Sequence, residues 1–165
     1  MIFASDNLTE SDSYFEILKQ AKAHGCEFSI ITYTIVVSSG YLSCLIYLHE
    51  SGCPWNETVC SDAAAGGWLE CLKYAHENGC PWDTDTCLHS AASGHLECLK
   101  YAHENGCPWD AETCASAAEY GHLECLKYAH ENGCPWNADT SSNAKRDIHP
   151  ECLEYAKTHS YPKTQ

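Results

Sequence analysis

The string Leu96-Glu97-Cys98-Leu99-Lys100-Tyr101-Ala102-His103-Glu104-Asn105-Gly106-Cys107-Pro108-Trp109 decides the fold, because it stands letter for letter at 69–82 and again at 123–136. The copies begin 27 residues apart. Fixed self-similarity at a period of about 20–50 residues marks a row of stacked supersecondary units. In the last copy, Leu123, Leu126 and Ala129 or His130 fall at helical spacing and form one apolar stripe. Cys125 sits beside the stripe, and Glu124, Lys127 and Glu131 fall outside it. Glu124 and Lys127 are spaced to pair along the helix. Asn132-Gly133 ends that helix, and Pro135 prevents its resumption.

The residues between two copies read as another helix. Asp110 is a good N-cap, since its carboxylate accepts from the free amides of a first turn, and Asn56, Asp83 and Asn137 hold the same slot. Trp109 and Cys114 then have the spacing of a hydrophobic staple, which gives Cys60, Cys87 and Cys114 a structural role. Small residues follow at Ala63-Ala64, Ser90-Ala91 and Ala117-Ala118, letting neighbouring helices approach closely. Gly121 supplies the left-handed stop. Each helix has roughly ten residues, too few to persist alone in water, so stacking must hold them.

Counting by the period carries the register through the chain. Cys26, Cys53, Cys80, Cys107 and Cys134 share a slot; so do Gly40, Gly67, Gly94 and Gly121, and Leu18, Leu45, Leu72, Leu99, Leu126 and Leu153. The expected organisation is a polar lead-in over 1–12 and one domain over 13–162. That domain divides into a degenerate unit (13–39), four repeats (40–147) and a half-repeat cap (148–162). Ile30, Ile31, Ile35, Val36 and Val37 form a β-branched run that also suits a strand; register favours a first helix. Ser141, Ser142, Asn143, Lys145 and Arg146 make the last first helix polar, as suits a terminal unit.

The net charge is −14 with neutral histidines, spread along the chain. Phosphate backbones and anionic membrane surfaces are disfavoured partners, whereas a basic protein face is compatible. No apolar run approaches the roughly 18 residues of a membrane span. The 13 cysteines are odd in number and recur with the repeat, and the start of the chain lacks the features of a secretory signal. Free thiols in a reducing, cytoplasmic setting are expected.

Thr86-Cys87-Leu88-His89-Ser90-Ala91-Ala92-Ser93-Gly94-His95 resembles the ankyrin signature Thr-Pro-Leu-His-x-Ala-Ala-x-x-Gly-His, with Cys87 in the proline slot and a one-residue-shorter approach to Gly94. Leu96 through Gly106 resembles the second ankyrin helix. The likeness covers about residues 13–162 and is strongest from 40 to 140. Ankyrin units have about 33 residues; the missing residues fall where the β-hairpin finger would be, and Cys-Pro-Trp makes a tight link instead. This shortened form is similar to ankyrin-like repeats of giant DNA viruses and some protists, which would place the chain in a host cytoplasm. The resemblance implies an all-α solenoid of stacked helix-loop-helix repeats, a non-catalytic scaffold that binds another protein and needs no cofactor. A monomer is expected.

Comparison among the units locates a candidate surface. The second helix and its link are constant, whereas exposed first-helix slots vary. Thr84, Asp85, Leu88, His89 and Ser90 in one unit are set against Ala111, Glu112, Ala115 and Ser116 in the next, where Glu119 is a further candidate, and the unit before has Glu57, Thr58, Ser61 and Asp62. A constant frame with a variable stripe is what a modular binding surface looks like. Drift at tolerant solvent positions gives the same pattern; the extended surface of repeat arrays tilts the reading to binding of a protein with basic character.

The competing class is a Cys/His-rich metal-binding or thiol redox protein. Zinc fits poorly: there is no Cys-x₂-Cys, Cys98 and His103 do not share a helical face, and equivalent cysteines in adjacent units lie roughly 10 Å apart. Cys114-type residues sit in a helical first turn, where the dipole favours thiolate, but the staple would bury them. His49, His76, His103 and His130 line one edge, where inter-repeat hydrogen bonds are expected; protonation near pH 6 would make them a switch. Trp55, Trp82, Trp109 and Trp136 are expected to be spacers between units, and Trp68, in the slot of His95 and His122, a point of exposure. Residues repeated in every unit argue against a unique hydrolytic triad.

Overall fold

The computed structural model describes residues 9–136, 140 and 149–159. Among them are ten helices and no strand. The first helices of the repeats are α2 (Ile30–Ser38), α4 (Glu57–Ala65), α6 (Thr84–Ala92) and α8 (Ala111–Glu119). The second helices are α1 (Glu10–Ala23), α3 (Leu42–Glu50), α5 (Leu69–Glu77), α7 (Leu96–Glu104), α9 (Leu123–Glu131) and α10 (Pro150–Thr158). The β-branched run from Ile30 is therefore helical, as its register requires. The polar helix expected around Ser141–Arg146 lies outside the described residues. At the N-terminal end, α1 starts within the segment read as a polar lead-in. Thr9 caps it, the Asp12 amide donating to Thr9 Oγ1 at 3.2 Å and the Thr9 amide to Asp12 Oδ2 at 3.1 Å.

Local chemistry sets each boundary. Asn56, Asp83 and Asp110 cap the first helices, accepting from the amides of Thr58, Asp85 and Glu112 at 3.3, 3.1 and 2.9 Å. Helices of both kinds end in the same glycine motif. In α6, the His95 amide reaches back to the Ser90 carbonyl and the Gly94 amide to that of Ala91; in α7, the Cys107 amide reaches Ala102 and the Gly106 amide His103. The Asn78, Asn105 and Asn132 side chains each donate at 2.8 Å to the carbonyl of the tyrosine four residues earlier.

Between the helices of a unit, a left-handed glycine precedes a tight turn at His95 or its equivalent. His95 has φ −88° and ψ 76°, and the Leu96 amide donates to the Gly94 carbonyl at 3.1 Å, an inverse γ-turn. Tyr41, Trp68, His95, His122 and His149 hold this position and cap nothing with their side chains. Four of these rings lie over a glycine of the preceding unit instead: Trp68 over Gly40, His95 over Gly67, His122 over Gly94 and His149 over Gly121. Trp68 is 40% exposed, and its Nε1 donates to the Ser38 carbonyl at 3.2 Å, so the odd ring is both a clamp and a point of exposure.

The core is a column of small and branched residues. Leu45, Leu72, Leu99 and Leu126 are fully buried on the second helices, and Ala63, Ala64, Ala91, Ala117 and Ala118 are fully buried on the first. Alanines at these contacts let the first helices approach more closely than the second helices do.

Glycine demand differs in the two loops. Gly106 (φ +84°) has nothing within 4 Å of a would-be Cβ, whereas a Cβ on Gly94 (φ +77°) would collide with the His122 ring. Gly106→Ala should cost about 1–2 kcal/mol, the left-handed penalty alone. Gly94→Ala should cost more, and the excess should vanish in a His122→Ala background. A double-mutant cycle by urea unfolding measures it; equal costs would refute the ring clamp.

Candidate partner-binding face

The first helices present one slot per unit to solvent: Ile31, Thr58, Asp85 and Glu112 are exposed. One turn further along the same face lie Ile35, Asp62, His89 and Ser116. Ile31 and Ile35 are 67% and 47% exposed. The face thus runs from apolar on α2 to acidic on α6 and α8. Thr84, Leu88, Ala111 and Glu119 flank it, partly buried. Three expected members do not belong: Ser90 is fully buried with its hydroxyl donating to the Thr86 carbonyl at 2.9 Å, and Ser61 and Ala115 are only 7% and 6% exposed. All three serve the close packing of first helices. Sequence reasoning left out Ile31 and Ile35; the available signal was an apolar residue in slots that are Thr, Asp or Glu in the other units.

The charge pattern of this face is one-sided. Helices α2, α4, α6 and α8 carry no Lys or Arg, yet Glu57, Asp62, Asp85, Glu112 and Glu119 lie on them. On the second helices, by contrast, Glu70, Glu97 and Glu124 pair with Lys73, Lys100 and Lys127 at 2.9 Å. Burial pushes the Asp62 carboxyl up from its usual value, opposed by the Thr34 hydroxyl and by His89. His89 Nδ1 is buried without a hydrogen-bond partner among the described residues.

Another edge of the array is occupied by a ladder of rings. His49, His76 and His103 stack on Trp55, Trp82 and Trp109 at 4.0, 3.6 and 3.8 Å between centroids. Each pair meets the edge of a tyrosine from the next unit: Tyr74, Tyr101 and Tyr128. The His49, His103 and His130 Nδ1 atoms hydrogen-bond the hydroxyls of Tyr74, Tyr128 and Tyr155 at 2.9, 3.0 and 3.0 Å. These histidines and tryptophans thus join repeat to repeat, as expected, and are not free for a ligand.

All 13 cysteines are free thiols, and all but Cys26 are buried. The first-turn thiols Cys87 and Cys114 are fully buried, as the staple reading expects. They are pushed up, by the neighbouring link thiol and by burial. The lowered thiols are Cys107 and Cys134, where the partner's thiol and backbone amide favour the charged form against burial. Among the described residues, no group of three or more His, Cys, Asp or Glu is placed to hold a metal ion. No described helix is long and apolar enough to cross a membrane.

Residues 34–113 match a family model described as ankyrin repeats (3 copies). The human ASB11 ankyrin repeat domain, a crystal structure, superposes with a TM-score of 0.76 at 17% identity, over 94% of this chain and 83% of that one. At that identity the likeness speaks for the fold alone. No curated protein matches the chain.

The ladder carries a pH dependence at its C-terminal rung. Burial, aided by His159 and opposed by Glu131, holds His130 below the usual imidazole value of 6.5. The folded state then binds this proton less readily than the unfolded one, so stability should fall as pH drops below 6.5 toward the folded value. Urea midpoints measured at about pH 7.5 and about pH 5.5 should show a smaller acid loss in His130→Gln than in the parent. Equal losses would contradict the assignment.

Proposed function

We propose that the chain, whose residues 34–113 match a model of ankyrin repeats, is a non-catalytic ankyrin-type scaffold that captures a partner protein on its first-helix face. The observation that carries this reading is the contrast between two kinds of surface. The second helices are identical three times over, and each pairs its first-turn glutamate with a lysine of its own. The first helices vary from unit to unit and leave their carboxylates without a basic residue on the same helices. Among the described first helices such a face lacks a basic residue of its own, and a partner's cations would supply the compensation.

The chemistry of the face specifies the partner further. Asp85 and Glu112 favour basic side chains at one end, and the exposed Ile31 and Ile35 favour an apolar residue at the other. With no strand, and so no hairpin finger, among the described residues, the helical face is the surface we assign to recognition. Free thiols throughout support a reducing, cytoplasmic setting, in which the chain works as a monomer.

The test is capture from native-cell extract on immobilised protein, quantified by mass spectrometry. A basic protein held by the parent should be lost at least roughly tenfold in the Asp85→Lys, Glu112→Lys variant, and should elute with added salt. Helicity by circular dichroism should be unchanged, since both residues are exposed. Equal capture by parent and variant would sink the site; an empty eluate from the parent would favour a spacer without a partner.

A further inference from the structure

The three central repeats share a buried feature with no part in partner capture. The link cysteine that follows each second helix turns back onto the start of the first helix of its own repeat. Cys80 Sγ donates to the Asn56 carbonyl at 3.2 Å, Cys107 Sγ to that of Asp83 at 3.1 Å and Cys134 Sγ to that of Asp110 at 3.0 Å. One turn into the same helix stands a second thiol, Cys60, Cys87 or Cys114, four residues after the residue whose carbonyl the link thiol contacts. The helix thiols are fully buried and the link thiols 3–4% exposed.

We propose that Cys60/Cys80, Cys87/Cys107 and Cys114/Cys134 are oxidisable pairs that form one disulfide per repeat when the chain meets a hydroperoxide. The link sulfur is the attacking group. It lies against the first turn of the helix, and in Cys107 and Cys134 the partner thiol and its backbone amide favour the thiolate. It is also the less deeply buried of the two. Its attack forms an S–O bond, breaks the O–O bond of hydrogen peroxide and releases hydroxide. The helix thiol then attacks the sulfenic sulfur: the S–S bond forms, the S–O bond breaks, and the hydroxyl leaves as water with the thiol proton. Two thiols and one peroxide thus give one disulfide and two waters.

The arrangement contains its own controls. In the first unit the helix position is Tyr33, whose hydroxyl donates to the Cys53 carbonyl at 3.0 Å, so Cys53 has no resolving thiol there. Cys71, Cys98, Cys125 and Cys152 occupy another slot, one per second helix, and lie a repeat apart from one another. Cys26 is exposed and reports whether peroxide has acted at all.

The experiment uses the full chain, reduced, desalted and exposed to hydrogen peroxide without denaturant. Remaining thiols are blocked in denaturant and linked peptides sequenced. The expected result is the three named links within single chains, thiols at Cys71, Cys98 and Cys125 still free, and an unfolding midpoint raised reversibly by oxidation. Cys107→Ala should remove the middle link and spare the other two, with helicity confirming its fold. Retention of all six paired thiols at a dose that oxidises Cys26, links in other pairings, or cross-linked dimers would each overturn the proposal. None of these outcomes depends on whether a partner is captured.

Discussion

A nine-residue helix has no stability of its own in water, and every described helix except α1 is nine residues long. The fold therefore rests on contact between units. Two devices make that contact specific. On one side of each unit, a ring from the next repeat presses onto a left-handed glycine; on another, a stacked His–Trp pair takes the edge of the next tyrosine. The buried leucines and alanines supply most of the burial, but they are smooth enough to slide. The rings set the spacing.

Much of this was legible because it is local. Asp110 as an N-cap, Gly121 as a stop and Leu126 as core each follow from a few neighbouring residues and recur in every unit. The capping box of α1 was equally local, Thr9 with Asp12, yet its polar residues read as a lead-in because no earlier copy framed them. The candidate face was legible only as a set of variable slots. Which of those slots turn outward depends on how closely neighbouring first helices pack, and Ser90 and Ala115 fall inside that contact.

The thiol arrangement was not legible, and the reason is topological. Cys87 and Cys107 are brought together by a full helix-turn-helix excursion, so no helical spacing announces them. The helix dipole was assigned to the cysteine within the first turn; the sulfur that is lowered comes from the far end of the repeat and sits against the cap of that turn. Proximity to a helix end in space, rather than in sequence, decides which thiol is activated.

The junction between α7 and α9 uses the same residues as that between α9 and α10: His103 with Tyr128, then His130 with Tyr155, at 3.0 Å each. A copy of one unit spliced in between would meet familiar neighbours at both of its ends. Such a chain can grow or shrink by whole modules through duplication and deletion of its coding segment, gaining or losing recognition surface without inventing a new seam.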